Sequence, residues 1–368
     1  MNPVQTAELR NLEAISSPAL LVFPDRVESN LQLMIEMVDG DVSRLRPHVK
    51  THKMAEVVRL QVAQGITRFK CATIAEAEMA AESGGRDLLL AHQPVGPNLG
   101  RFLQLQQSFP EVTFAAIVDS AEVVSAFEAT GQSARLYVDL DCGMHRTGIA
   151  PGEEALVLCR RIASSVHLEF AGLHAYDGHL HQPDLSERTK AHATAIASWA
   201  GLQDALEAEN LPPPAIVVGG SPTFGLFAEM KNWQCSPGTT LFWDAGYGHA
   251  FPDLKFEAAA MLLTRVISKP DGRLCLDLGH KAVAAEKPID KRAWFPELPL
   301  AQPFIQSEEH FVLDAPNAGD FSVGDALIAI PWHVCPTVAL HEHAHLVVDG
   351  SVSEETWSVE ARKRSLTI

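Results

Sequence analysis

The stretch Arg46–Lys53, RPHVKTHK, sets two lysines, two histidines and an arginine side by side in a chain whose formal net charge is −17. It overlaps the apolar run RLRPHVK (44–50), so Lys50 falls at the carboxyl end of an expected strand. Downstream the same texture returns at 68–73, 87–92, 113–119, 135–141, 169–176, 215–221 and 239–244. Between these runs lie segments such as AEVVRLQVAQG, AEAEMAAESGG and EEALVLCRRIASS, with apolar residues at helical spacing. Alternating β and α segments of this kind build helices around a parallel sheet, and eight of them make a (β/α)8 TIM-type barrel of class α/β. A doubly wound sheet is the rival, but no GxGxxG opens the first βα turn.

After about residue 255 the runs AMLLTRVISKP, RLCLDLG, HFVLD, DALIAIPWHV and AHLVVDG are separated by Gly, Pro and Asp turns, with no clear helix. The expected organisation is a barrel over 26–250 followed by an all-β domain over 251–368, which also takes residues 1–25. PALLVFPD (18–25) suits a strand of either part. With 46% hydrophobic residues, the chain can bury a large core. Its dispersed acidic excess argues against binding nucleic acid or anionic lipid, and points to a small-molecule partner. No apolar run is long enough to span a membrane, and MNPVQTAELRNLEAI does not read as a secretory signal. Six scattered cysteines without a CxxC fit reduced thiols in the cytoplasm.

In a barrel, reactive groups gather at the carboxyl ends of the strands. A lysine there, near other cations and partly desolvated, has its amine pushed toward the neutral form that attacks an aldehyde; the plainer alternative for Lys50 is an ordinary surface lysine. GGSPT (219–223) and SPGTT (236–240) offer backbone N–H and hydroxyl groups to a phosphate, although most Gly/Ser turns are only turns. In DLDCGMHRTG (139–148), Arg146 can serve as a fixed cation beside a cofactor ring, or pair with Asp139 or Asp141. His48 is a candidate catalytic group beside Lys50. His181, in DGHLH, is a candidate second base or a plain loop histidine.

Taken together, RPHVKTHK, LDCGMHRTG, GGSPT, SPGTTLFWD and IPWHVCPT resemble the fold-type III pyridoxal-phosphate (PLP) enzymes, in the branch of D-threonine aldolases and D-serine dehydratases. The resemblance runs from about Pro18 to the C-terminus. It implies an alanine-racemase-like barrel with PLP on Lys50, Arg146 and Tyr176 at the ring, and Gly220, Ser221, Thr223, Gly238 and Thr239 around the phosphate. It also implies a homodimer, a D-configured substrate, and a divalent metal, zinc or manganese, held by His333 and Cys335. Strand alternation would put those two side chains on one face. A cysteine at the second position is the dehydratase pattern, and its thiolate suits zinc, whereas LDLGHKAVAAE (276–286) follows the aldolase pattern. His341, His343 and His345 in HEHAH form a rival metal site if that segment is a strand.

The leading expectation is a PLP- and metal-dependent lyase that cleaves D-threonine-like 3-hydroxy amino acids to glycine and an aldehyde. Dehydration of D-serine or D-3-hydroxyaspartate to a 2-oxo acid and ammonia is the close alternative. An amino-acid racemase or decarboxylase, a non-catalytic PLP-binding protein and a metal-dependent hydrolase are more distant ones.

Overall fold

The computed structural model describes residues 6–211 and 215–368, so the first five residues of MNPVQTAELRNLEAI lie outside the described residues. The chain divides into two compact units. One comprises Met34–Lys50, Val58–Gly238 and Lys363–Ile368; the other comprises Met1–Leu33, Thr51–Val57 and Thr239–Arg362. Strand β1 (Ala19–Val22) belongs to the latter.

The first unit is built on β2 (Arg68–Cys71), β3 (Asp87–Leu90), β4 (Thr113–Val118), β5 (Ala134–Leu140), β6 (Leu168–Ala175), β7 (Ala215–Val218) and β8 (Gln234–Cys235), all parallel and neighbours in sequence order. The expected first strand, 44–50, bridges the two edges of this sheet. Arg46 and His48 donate their N–H groups to Cys235 and Pro237 on one side, while Val49 N–H and Lys70 N–H exchange bonds with Lys70 and Pro47 on the other. Pro47 has no N–H, so the stave makes isolated parallel bridges in place of a full ladder. The helices Ile74–Glu82, Ala121–Ala129 and Leu185–Ala208 start on side-chain caps. Thr73 accepts from Glu76 N–H, and the Glu76 carboxylate reaches back to Ala72 N–H, opening the helix Ile74–Glu82.

Arg46 is an anchor of this stave. Its fully buried guanidinium makes a two-pronged pair with Asp87, at 3.0 and 2.8 Å, and a third bond to Gln234. Burial pushes the Asp87 carboxyl up, but the Arg46 charge outweighs it and holds the group below its ordinary value. Asp87→Asn should therefore cost about 3–5 kcal/mol in urea unfolding at neutral pH, because it strands a buried charge. A carboxyl whose folded pKa is depressed stabilises above its unfolded value, and that stability is lost as pH falls through the folded value. The gap between wild type and Asp87→Asn should accordingly close below about pH 4.

The second unit is a sheet in which β9 (Ala260–Ser268), β10 (Leu274–Leu276), β11 (Ala293–Trp294), β12 (Gln302–Gln306), β13 (Phe311–Asp314), β14 (Ala326–Pro331), β15 (His343–Val348) and β16 (Ser351–Ser358) join β1. The order is β12-β13-β10-β9-β1-β15-β16, with β14 on β9 and β11 on β14. PALLVFPD thus supplies a strand to this unit, antiparallel to β9 and parallel to β15.

Two expectations are corrected. TTLFWD (239–244) is not the last barrel strand; Gln234–Cys235 is. The N–H groups of Phe242 and Trp243 both bond back to Thr239, and Trp243 has φ +46°, so the segment turns. Leu241, Phe242 and Trp243 are apolar because they are buried, not because they are extended. IPWHVCPT is likewise not one strand: β14 ends at Pro331, and Val334–Val338 is a short helix preceded by His333. Pro336 lacks the N–H a ladder needs, whereas the first turn of a helix leaves that N–H unused.

Candidate functional site

In the barrel unit, Leu89, Ile117 and Tyr137 point inward and pack with Ala115, Ala171 and Val217. Residues two positions further along a strand share its face. Accordingly Ala91, Asp119 and Asp139, at or just past the strand ends, line a cavity of about 610 Å³ above that apolar floor. β2 contributes Lys70, and β6 with the residue after it contributes His174 and Tyr176.

Lys50 lines this cavity, as do His48, Arg146 and Tyr176, so the barrel brings together four of the sequence-derived candidates. His48 Nδ1 accepts from Lys50 N–H at 3.3 Å, and the Arg146 guanidinium lies 5.1 Å from the Tyr176 ring centroid. His181 is in an exposed loop and does not line the cavity.

Gly220 sits against Tyr176, where an added Cβ would come within 3.2 Å of the ring; at Gly178 it would collide with the ring outright. Gly220 N–H reaches Thr223 Oγ1 at 3.4 Å, and Gly238 N–H donates to Ser221 Oγ at 3.2 Å, so the two Gly/Ser turns meet. Gly220, Ser221 and Gly238 thus form a cradle of N–H and hydroxyl groups beside Tyr176, which suits a phosphate, while the cavity suits an aromatic ring bearing an aldehyde.

In the β unit, His333 Nδ1 pairs with Glu286 Oε1 at 2.5 Å. A carboxylate on one ring nitrogen fixes the tautomer and leaves the other for a metal. Burial pulls the His333 imidazole down, but Cys335 and then Glu286 outweigh it, and it is pushed up to about 9. Thr51 Oγ1 lies 3.1 Å and Thr239 Oγ1 3.6 Å from Cys335 Sγ. A nitrogen and a sulfur side by side, with the imidazole oriented by a carboxylate, fit a divalent ion that completes its shell with water or other oxygen donors.

The rival histidine row does not form a site. His343 and His345 are neighbours on β15 with ring centroids 5.2 Å apart, but His341 precedes the strand and donates to the Ala282 carbonyl. Among the described residues no three His, Cys, Asp or Glu side chains cluster as a metal centre.

Residues 22–245 match the alanine racemase N-terminal domain, and residues 259–347 match the putative serine dehydratase domain. The chain belongs to the alanine racemase N-terminal domain family. It is 30% identical to the solved D-threonine aldolase from Filomicrobium marinum, with a TM-score of 0.86 over 95% of this chain and 97% of that one. The 3-hydroxy-D-aspartate aldolase of Paracoccus denitrificans (strain Pd 1222) is 29% identical over 95% of this chain and 92% of its own. The D-threo-3-hydroxyaspartate dehydratase of Delftia sp. (strain HT23) is 26% identical over 94% and 97%. The family read from the five motifs is therefore the family to which the chain belongs.

Several residues of this family member escaped the sequence reading. Lys70 and His174 sit inside RFKCAT and EFAGLHAY, where the apolar run hid their inward direction. Period-two alternation from Lys50, or from the following strands, was the usable signal. Glu286 was visible as part of a motif, but not as the partner of His333. Asp244, whose Oδ2 accepts from Val334 N–H and whose carboxyl burial pushes up to about 7, was absorbed into a supposed strand.

Proposed function

We propose that this chain is a PLP- and divalent-metal-dependent lyase of D-3-hydroxy amino acids, acting in the D-threonine aldolase direction to give glycine and an aldehyde. The observation that carries this reading is the Lys50 amine lining one cavity with Arg146 and Tyr176, beside a Gly/Ser cradle. Bound PLP supplies an aldehyde for amines and a ring that withdraws electrons from Cα. A metal at His333 and Cys335 supplies Lewis acidity toward a hydroxyl.

The chain's own residues do the rest. Lys50 would hold the cofactor through its amine. Arg146 would lie at the ring and tune its electron withdrawal, and Gly220, Ser221, Thr223, Gly238 and Thr239 would hold the phosphate. Glu286 keeps His333 in the orientation its ligand role needs. In aldol cleavage a base, for which His48 beside Lys50 is the candidate, would take the 3-hydroxyl proton as the Cα–Cβ bond breaks, and Cα would take up a proton to give glycine. In dehydration Lys50 Nζ takes the Cα proton and the hydroxyl leaves.

The dehydratase reading is kept because the second candidate ligand is a thiol, Cys335, which favours zinc over the hard ions that carboxylates prefer. The purified protein should convert D-threonine or 3-hydroxy-D-aspartate to glycine. A 2-oxo acid and ammonia from D-serine or 3-hydroxyaspartate instead would establish the dehydratase. Turnover untouched by exhaustive chelation would favour a racemase on the same scaffold. The reading includes a cytoplasmic location, supported by six cysteines that form no disulfide, and a homodimer, supported by the family resemblance. Among the described residues no helix is long and apolar enough to cross a membrane.

A further inference from the structure

Lys70 is 1% exposed, yet its side chain lines the cavity that Lys50 lines. Its main chain is locked against the Lys50 stave, donating to Pro47 and accepting from Val49. Its ammonium lies 5.4 Å from the Tyr176 ring centroid and 3.5 Å from His174 Nε2.

Of the three carboxylates around it, Asp139 and Asp119 already accept hydrogen bonds. Asp139 takes His174 Nδ1–H on one oxygen at 2.6 Å and the Thr147 hydroxyl on the other at 3.0 Å. That bond fixes the His174 tautomer and leaves Nε2 as an acceptor toward Lys70. Asp119 accepts from Gly148 N–H. Asp177 is buried with no partner at bonding distance on either oxygen, and burial pushes its carboxyl up to about 6. Among the described residues no carboxylate pairs with Lys70.

Lys50, Lys70 and Arg146 therefore line one cavity near Asp119, Asp139 and Asp177, none of which pairs with the Lys70 amine. Burial pulls the Lys70 amine down to about 7; Lys50 and Arg146 act in the same sense, against Asp139 and Asp177. A buried cation without a counter-ion is costly, and a ligand anion at that point removes the cost.

We propose that Lys70, together with Arg146 beside the Tyr176 ring, forms an anion subsite in the cavity wall that binds a phenolate or carboxylate oxygen of the molecule filling the cavity. The proposal rests on the reading above. Two sources carry such an oxygen: the phenolate of the cofactor ring, and the distal carboxylate of a 3-hydroxyaspartate-type substrate.

The test compares wild type with Lys70→Met, which keeps length and removes charge, and with Lys70→Arg, which keeps charge. Without ligand, Lys70→Met should melt no lower than wild type, because it removes a buried amine that no carboxylate pairs with. If the cofactor supplies the oxygen, PLP titrated into Lys70→Met should bind at least ~10-fold more weakly, with a shifted absorbance maximum, and Lys70→Arg should recover most of the loss. If the substrate supplies it, PLP binding stays equal while the KM for 3-hydroxy-D-aspartate rises at least ~10-fold and that for D-threonine does not.

Wild type carries an arm that needs no variant. Either PLP methylated on its phenol oxygen, or the substrate with its distal carboxylate converted to an amide, should bind at least ~10-fold more weakly. Equal affinities, spectra and KM ratios in these comparisons overturn the subsite alone. A wild-type protein that takes up no PLP rejects the underlying reading and the subsite with it.

Discussion

Lys50→Ala is expected to come through purification without the absorbance band near the visible edge that PLP-loaded wild type should show, and to lose turnover by roughly a thousandfold or more. The amine is both the point of attachment and the group that exchanges with the substrate, so its removal takes away two functions at once. PLP should still associate reversibly, because the cradle of Gly220, Ser221 and Gly238 does not depend on the lysine. Lys50→Arg should not restore the band, since a guanidinium stays protonated and cannot attack an aldehyde. Lys53→Ala, in the same motif but outside the barrel unit, should keep it. Borohydride reduction followed by peptide mapping adds a sharper check, because a second lysine, Lys70, lines the same cavity. Label on Lys70, or a persistent band in Lys50→Ala, would refute the assignment.

The second large effect concerns the metal. His333→Ala or Cys335→Ala removes half of a two-ligand set, so metal content measured by elemental analysis should drop to background and turnover should fall by ~100-fold or more. Glu286→Gln leaves both ligands in place and removes only the carboxylate that orients His333. Its cost should be smaller, about 10–100-fold in metal affinity, recoverable at high added metal. Cys335→Asp is the informative exchange: an oxygen in place of a thiolate should shift the best-supporting ion from zinc toward manganese without abolishing activity. Full activity in His333→Ala after chelation would remove the metal from the reading.

Much of this was legible in the primary structure because it is local. The βα alternation from 68 to 218 translates a hydrophobic period into strands and helices, and six expected strands are found within one to three residues of their ends. Lys50, Arg146 and GGSPT announced themselves by position at or after an expected strand; SPGTT did so by composition alone, since the strand it follows, Gln234–Cys235, was not expected. The eighth stave and the metal segment were misread for one reason. A short apolar run records burial, and a turn or a short helix in a core buries its side chains as fully as a strand does, as Leu241 and Phe242 illustrate.

What only the folded chain decides is which distant groups meet. Lys70 and His174 are 104 residues apart and lie 3.5 Å from each other; Glu286 and His333 are 47 apart and share a short hydrogen bond. Composition and spacing specify the kinds of group available and the face each takes within its own element. The charge balance of a cavity depends on which elements become neighbours, and that is set by strand pairing across the whole barrel. The chemistry offered by RPHVKTHK was thus readable from eight letters, while the second cavity-facing lysine beside it became visible only once β2, β5 and β6 stood around one space.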